Sequence, residues 1–193
     1  LPLRGHSNVQ GIGSVGVMPA LKEKIFNKIE ENLKVKLPTT QGWDTMDCMV
    51  KAMAGEVDIA WIQGGNLYAS NPDSTYAEKA INKIKTKIYL TTTLNQGHLI
   101  PNDGELIIFP VLARDEEMQA STQESMFNYV RMSEGGIKRT KNALSESEII
   151  VNLASVIIDA AIFDFSKFIL HKNIRKAMSA IIPGFEQIEH MEK

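Results

Sequence analysis

The sequence predicts an α/β fold, with a mostly parallel sheet and a helical C-terminal segment. Three observations carry that prediction. Three short runs rich in β-branched and aromatic residues, at 57–62, 87–90 and 105–109, have the length of buried strands. A helical pattern at 73–85 separates the first two, and turn-forming residues close each run. After residue 117 the rhythm changes, and the chain to 193 reads as a polar stretch, one strand and then helices. Strand, helix, strand, polar loop, strand is the order of a Rossmann-like three-layer domain. Residues 1–117 are therefore assigned to an α/β part, and 118–193 to a linking strand and a helical segment packing back on it.

Each element has a local reason. Residues 1–17 read as irregular and glycine-rich. Leu21, Ile25, Ile29 and Leu33 recur every fourth position, which makes an amphipathic helix, with Pro19 suited to its first turn. A second helix is predicted over 44–55, with Met46, Met49, Val50 and Met53 on one face as core filler. The helix over 73–85 turns Ala77, Ala80, Ile81 and Ile84 inward. Residues 119–123 are polar, 126–132 alternate like an edge strand, and 133–136 form a turn. The basic cluster from Lys138 to Lys141 reads as a solvated loop. A helix starts near Ser145, where acidic residues meet its positive end, and runs to about 158. Further helical segments at 165–170 and 174–182 stop at Pro183-Gly184.

Composition bounds the function. A hydrophobic content of 44% with 23% charged residues fits an ordinary globular chain, and 193 residues can bury one sizeable core. A net charge of −2 with scattered basic residues gives no footprint for nucleic acid. No apolar run approaches the roughly 18 residues of a membrane span, and no signal peptide is visible, so a cytoplasmic location is expected. The single cysteine, Cys48, excludes an internal disulfide and reads as a small apolar helix residue. The first residue is Leu1, and the abrupt start suggests a piece excised from a longer protein.

The chemistry-bearing stretch is EVDIAWIQGGNLYASNPD, residues 56–73. A buried strand ending in Gly64-Gly65-Asn66 and leading to a helix is the arrangement in which ligands bind at strand carboxyl ends. Glycine lets backbone approach a ligand, and Asn or Ser can hydrogen-bond a nucleotide sugar or base. The same spacing also suits a plain strand-to-helix turn. Right-handed crossovers put the loops after the three strands on one edge, so the Thr91–Thr93 loop and residues 113–117 should join the GGN turn around a crevice. His98, in that threonine loop, is either a ligand contact or a locally hydrogen-bonded loop histidine. Gly11 to Gly16 spells GxGxxG, yet polar residues precede it where the dinucleotide fingerprint needs a buried strand. No Ser-His-Asp set, HExxH, P-loop or CxxC is present, and the acid pairs Glu30-Glu31 and Glu116-Glu117 read as solvated.

The segment RGHSNVQG at 4–11 resembles the RGxxNVQG segment of molybdopterin-dependent oxidoreductases, specifically the formate dehydrogenase branch of the dimethyl sulfoxide reductase family. The strand into Gly64-Gly65-Asn66, the loop TLNQGHL at 93–99, the strand LIIFP at 106–110 and the segment at 127–138 follow in the family's order. The resemblance covers nearly the whole chain and implies one part of a longer catalytic subunit. It further implies molybdenum or tungsten on molybdopterin guanine dinucleotide, and an iron-sulfur cluster outside this chain. Arg4 matches the arginine beside metal and substrate, where a guanidinium can hold formate, and His6 matches a polar residue near the pterin. Ser7, Asn8, Gly64, Gly65, Asn66, Ser70, Thr92, Leu94, Asn95 and His98 fall at cofactor-contacting positions. The implied partners are the rest of its own polypeptide, a small substrate such as formate and an electron-transfer subunit. Two departures stand out: Asn66-Leu67 replaces an acidic residue and proline, and Thr92 replaces an aspartate common in the second loop. Metal ligand and cluster cysteines are absent from the sequence, so the isolated piece is expected to be inactive. The alternative is a stand-alone nucleotide-binding or interaction module without redox activity, and a third reading places NAD at Gly11 to Gly16.

Overall fold

The structure is a computed structural model that describes residues 7–191. Its described residues fall into two compact units, one spanning Trp43–Ala113 with Lys141–Glu146, the other holding the remaining segments.

The first unit is the parallel α/β unit. Strands β1 (Ile59–Gln63), β2 (Thr86–Thr91) and β3 (Glu105–Pro110) form a three-stranded parallel sheet in the order β1-β2-β3. Ile59 pairs with Thr86 and Thr86 with Glu105, so the strands start and finish in step. The central strand is the most enclosed, with Tyr89, Leu90 and Thr91 buried at its carboxyl end. Two helices serve this sheet, here called A (Thr45–Ala54) and B (Ser74–Asn82). Asp44 and Asp73 cap them, each carboxylate accepting a backbone N–H at 2.9 Å three residues on. Ala77 and Ala80 are fully buried, which lets helix B lie close to Met49 and Ala52 of helix A in one core with Ile81 and Ile84. Helix A does not use its methionines as the sequence suggested. Met49 is buried, but Met46 and Val50 are exposed, because the packed face runs through positions 49, 52 and 53. Cys48 is also exposed on this helix.

The second unit is built on helices. Val9–Ser14, Glu23–Leu33, Glu146–Ile157 and His171–Ile181 are its helices, the third starting at the boundary between the units. They are named C, D, E and F in that order. Ile25 of helix D packs with Ile181 of helix F, Ile182, Phe185 and Ile188, and Leu21, Ile29 and Leu33 flank them as the fourfold spacing requires. The polar run before residue 126 is a strand, β4 (Ser121–Ser125), paired antiparallel with β5 (Tyr129–Ser133). The expected strand over 126–132 is thus broken at its start, because Phe127 and Asn128 take left-handed backbone angles at the hairpin tip. Residues 9–14 are likewise helical where irregular chain was expected.

The α/β class, the parallel sheet and the helical C-terminal segment are as the sequence predicts. Among the described residues, no helix is long and apolar enough to cross a membrane.

Candidate functional site

The rim of the parallel sheet is built by two loops. The ladder continues past β1, where Gly64 N–H donates to the Leu90 carbonyl at 2.8 Å. The chain then turns through Gly64 and Gly65 at φ 67° and 72°. A side chain at either position would meet nothing within 4 Å, so glycine is required here by conformation and leaves the backbone open to approach. Asn66 closes the turn: its Oδ1 accepts from Ala69 N–H at 3.1 Å, and its carbonyl accepts from Ser70 Oγ at 2.8 Å.

The loop after β2 meets this turn directly. Asn95 Nδ2 donates to the Gly65 carbonyl at 2.9 Å, while Asn95 Oδ1 accepts from Gly97 N–H at 2.9 Å. Gly97 is pressed against the turn so closely that a Cβ would lie 2.7 Å from Asn66 Oδ1. Two of the three loops that the crossover rule assigned to one edge therefore share a hydrogen-bonded rim. Thr92 and Leu94 stand exposed on it.

His98 is the brace of the second loop. It is buried, stacks edge-on against Tyr89 with ring centroids 4.7 Å apart, and accepts Asn95 N–H on Nδ1 at 3.0 Å. Accepting there places its proton on Nε2. Burial pushes its pKa below the ordinary 6.5 and raises that of Tyr89, so both groups stay neutral. Its observed contacts orient Asn95.

Of the residues singled out in the sequence, Gly64, Gly65, Asn66, Ser70, Thr92, Leu94, Asn95 and His98 all belong to this unit. Ser7 and Asn8 belong to the other unit, and Arg4 and His6 lie outside the described residues. Ala113 closes a segment of the α/β unit and Arg114 opens one of the helical unit.

The donor set suits a neutral polar ligand edge or a phosphate-bearing group reached through backbone. Asn66, Ser70, Thr92 and Asn95 offer amide and hydroxyl groups, while the loop carboxylates Asp73 and Asp103 bond the Tyr76 N–H and the Asn82 amide. Among the described residues no cluster of His, Cys, Asp or Glu could hold a metal ion.

The helical unit carries features that the sequence did not signal. A cavity of about 350 Å³ is lined by Asn8, Gly11, Glu124, His171 and Arg175, with further polar residues of β4 and apolar neighbours. Glu124 and Arg175 are buried, and the Arg175 guanidinium donates to the Ala120 carbonyl at 2.7 Å. His171 lies 2.9 Å from Ser147 Oγ and 3.2 Å from the same carbonyl. A lone glutamate in a polar strand leaves no periodic signal, so only the fold reveals it. Gly11 and Gly13 of the GxGxxG match sit within helix C, and no strand precedes that helix among the described residues. Gly11 faces Asn8 and Glu124, with no room for a side chain: a Cβ there would lie 2.1 Å from Asn8 Oδ1.

No protein-family profile matches the chain. An uncharacterized oxidoreductase of Mycobacterium tuberculosis is 26% identical over 98% of this chain, which covers 25% of that protein. Protein YdeP of Escherichia coli is 26% identical over 95% of the chain and 25% of its own length. The chain spans about a quarter of the length of these curated relatives.

Proposed function

We propose that this chain is the nucleotide-holding part of a molybdopterin-dependent, formate dehydrogenase-like oxidoreductase, without activity when isolated. The observation that carries the reading is the shared rim, in which Asn95 of one strand-end loop is bonded to the Gly65 carbonyl of the other. Such a rim is where open parallel sheets receive nucleotides. The ordered resemblance from Arg4 to Pro110 supports the choice of a guanine dinucleotide, and the oxidoreductase named among the relatives supports the redox class.

In this reading Gly64 and Gly65 let the dinucleotide approach the backbone, while Asn66, Ser70, Thr92, Leu94 and Asn95 line it, and His98 holds Asn95 in place. Neutral amides and hydroxyls then perform the recognition that an aspartate performs elsewhere in the family, at a lower gain per contact than a charge-assisted bond. Ser7, Asn8 and His6 would face the pterin. Two-electron transfer is the chemistry that a molybdenum or tungsten pterin supplies when bound. Arg4 would orient a formate carboxylate through paired N–H donors. The rest of the polypeptide, an iron-sulfur cluster there and an electron-transfer subunit would complete the enzyme.

Mass spectrometry with metal analysis tests this on the complete protein, purified from a host that makes the cofactor. Bound pterin with molybdenum or tungsten is the expected result. A protein free of both would overturn the proposal.

A further inference from the structure

We infer that the exposed face of helix E is an interface, covered in the complete protein by an apolar segment of the same polypeptide that carries basic residues at its ends. The inference rests on the reading of this chain as one part of a longer polypeptide, and is independent of which cofactor that polypeptide holds.

An amphipathic helix turns the stripe made by its three-and-four spacing into the core. Helix E turns its stripe out. Ile150, Leu153 and Ile157 recur at that spacing with Val156 beside them, and all four are exposed, Val156 at 85% and Ile157 at 70%. Val151 is the one buried residue of this helix. Between Glu148 and Asp159 the sequence holds no charged residue, so nothing in the stripe itself favours water. Single exposed apolar residues are ordinary, but a run of them along one helix face marks an interaction surface.

The stripe continues into a groove of the same unit. Ile150 also lines a cavity of about 350 Å³, together with Ile29 and Leu33 of helix D, Met178 of helix F, Phe165 and Phe168. Ser147 is the one polar residue among its described lining. A stripe beside an apolar groove is the shape that receives a segment with apolar anchors.

Charge and length select the occupant. Glu146 and Glu148 open helix E, Asp159 follows it, and its last turn holds no basic residue. An anionic membrane surface would be repelled, since helices that lie on membranes carry Lys and Arg on their polar face. A second copy of the chain meets the same obstacle. Two-fold pairing sets either like or opposite ends of the two helices together, and both ends are acidic. The rest of the polypeptide has neither problem. This chain spans about a quarter of the length of its curated relatives, so most of such a polypeptide lies outside it. A stripe without charge suits a permanent interface of this kind, with Lys or Arg at the ends of the covering segment to meet the acids.

Photo-cross-linking tests this on the purified complete protein, with benzoylphenylalanine in place of Val156. The expected product is a cross-link within one polypeptide, from residue 156 to a peptide outside this chain, and it is lost in urea. No cross-link, a product of dimer mass, or a cross-link that ends within residues 1–193 overturns the inference. If the bulky probe prevents folding, Val156→Cys gives a second measurement, the rate of its reaction with a maleimide. In the native protein the thiol should react at least about tenfold more slowly than in urea, at every protein concentration. A native rate equal to that in urea, or protection that disappears on dilution, overturns the inference as well. A complete protein that lacks pterin but forms the cross-link retires the cofactor reading and leaves the interface standing. One that holds pterin and forms none does the reverse.

Discussion

Two glycine pairs in this chain look alike in sequence and do opposite things in the fold. Gly64 and Gly65 end β1 with left-handed backbone and open space around them, and they lie on the rim that two loops share. Gly11 and Gly13 lie in helix C, where Gly11 is filled by Asn8 and Glu124 while Gly13 touches nothing within 4 Å. Gly11 of the fingerprint match is a packing device, and the unremarkable pair is the candidate ligand rim. What separates them is the element that comes before: a partly buried parallel strand in one case, a turn at residues 7–8 in the other.

Substitutions sharpen that contrast, starting with the largest effect. Gly11→Ala should lower stability by about 2 kcal/mol, because the new methyl forces Asn8 away from Glu124; thermal or urea unfolding measures it. A neutral Gly11→Ala would mean that helix C does not close on β4 as described. Asn95→Ala removes the bond to the Gly65 carbonyl and the Gly97 cap, at a cost of about 1–2 kcal/mol, and should raise exchange at both loops of the rim. Gly65→Ala places a side chain at φ 72°, at a cost of about 1 kcal/mol, without a clash. Gly13→Ala should do the reverse and stabilise by up to about 1 kcal/mol, since alanine is the better helix former and finds free space.

The smallest effect concerns acid. The folded pKa of His98 is depressed by burial, so the fold holds the neutral form. Its contribution to stability is complete above the ordinary value of 6.5 and is lost as pH falls through the lowered folded value. Melting curves at about pH 7.5 and about pH 5.5 should therefore differ more in wild type than in His98→Gln, whose amide oxygen can accept from Asn95 without titrating.

The parallel sheet was legible because its strands are continuous β-branched runs, and because Asp73 and the inward Ala77 and Ala80 mark the crossover helix. Crossover handedness places the rim loops on one edge of the sheet, along with the loop after β3. Strand β4 was not legible, since Ser121-Thr122-Gln123-Glu124-Ser125 has no apolar residue and so no alternation. Its pairing with β5 and its contact with Asn8 hold it in place. Helix C was hidden by its two glycines and by its length of six residues, too short for a period to show. Met46 and Val50 read as core by spacing, yet the face that helix B covers lies one step around the helix. The role of His98 as a brace depends on Nδ1 reaching the Asn95 N–H, a contact that no motif encodes.

The claim on which the account depends is that the β1 and β2 loops hold the nucleotide. Backbone amide chemical shifts recorded during titration with guanosine diphosphate test it most directly. The account predicts shifts clustered at Gly65, Asn66, Thr92 and Asn95, with Gly11 to Gly16 unmoved. Shifts centred on Gly11 to Gly16, or none at either stretch at millimolar nucleotide, would contradict it.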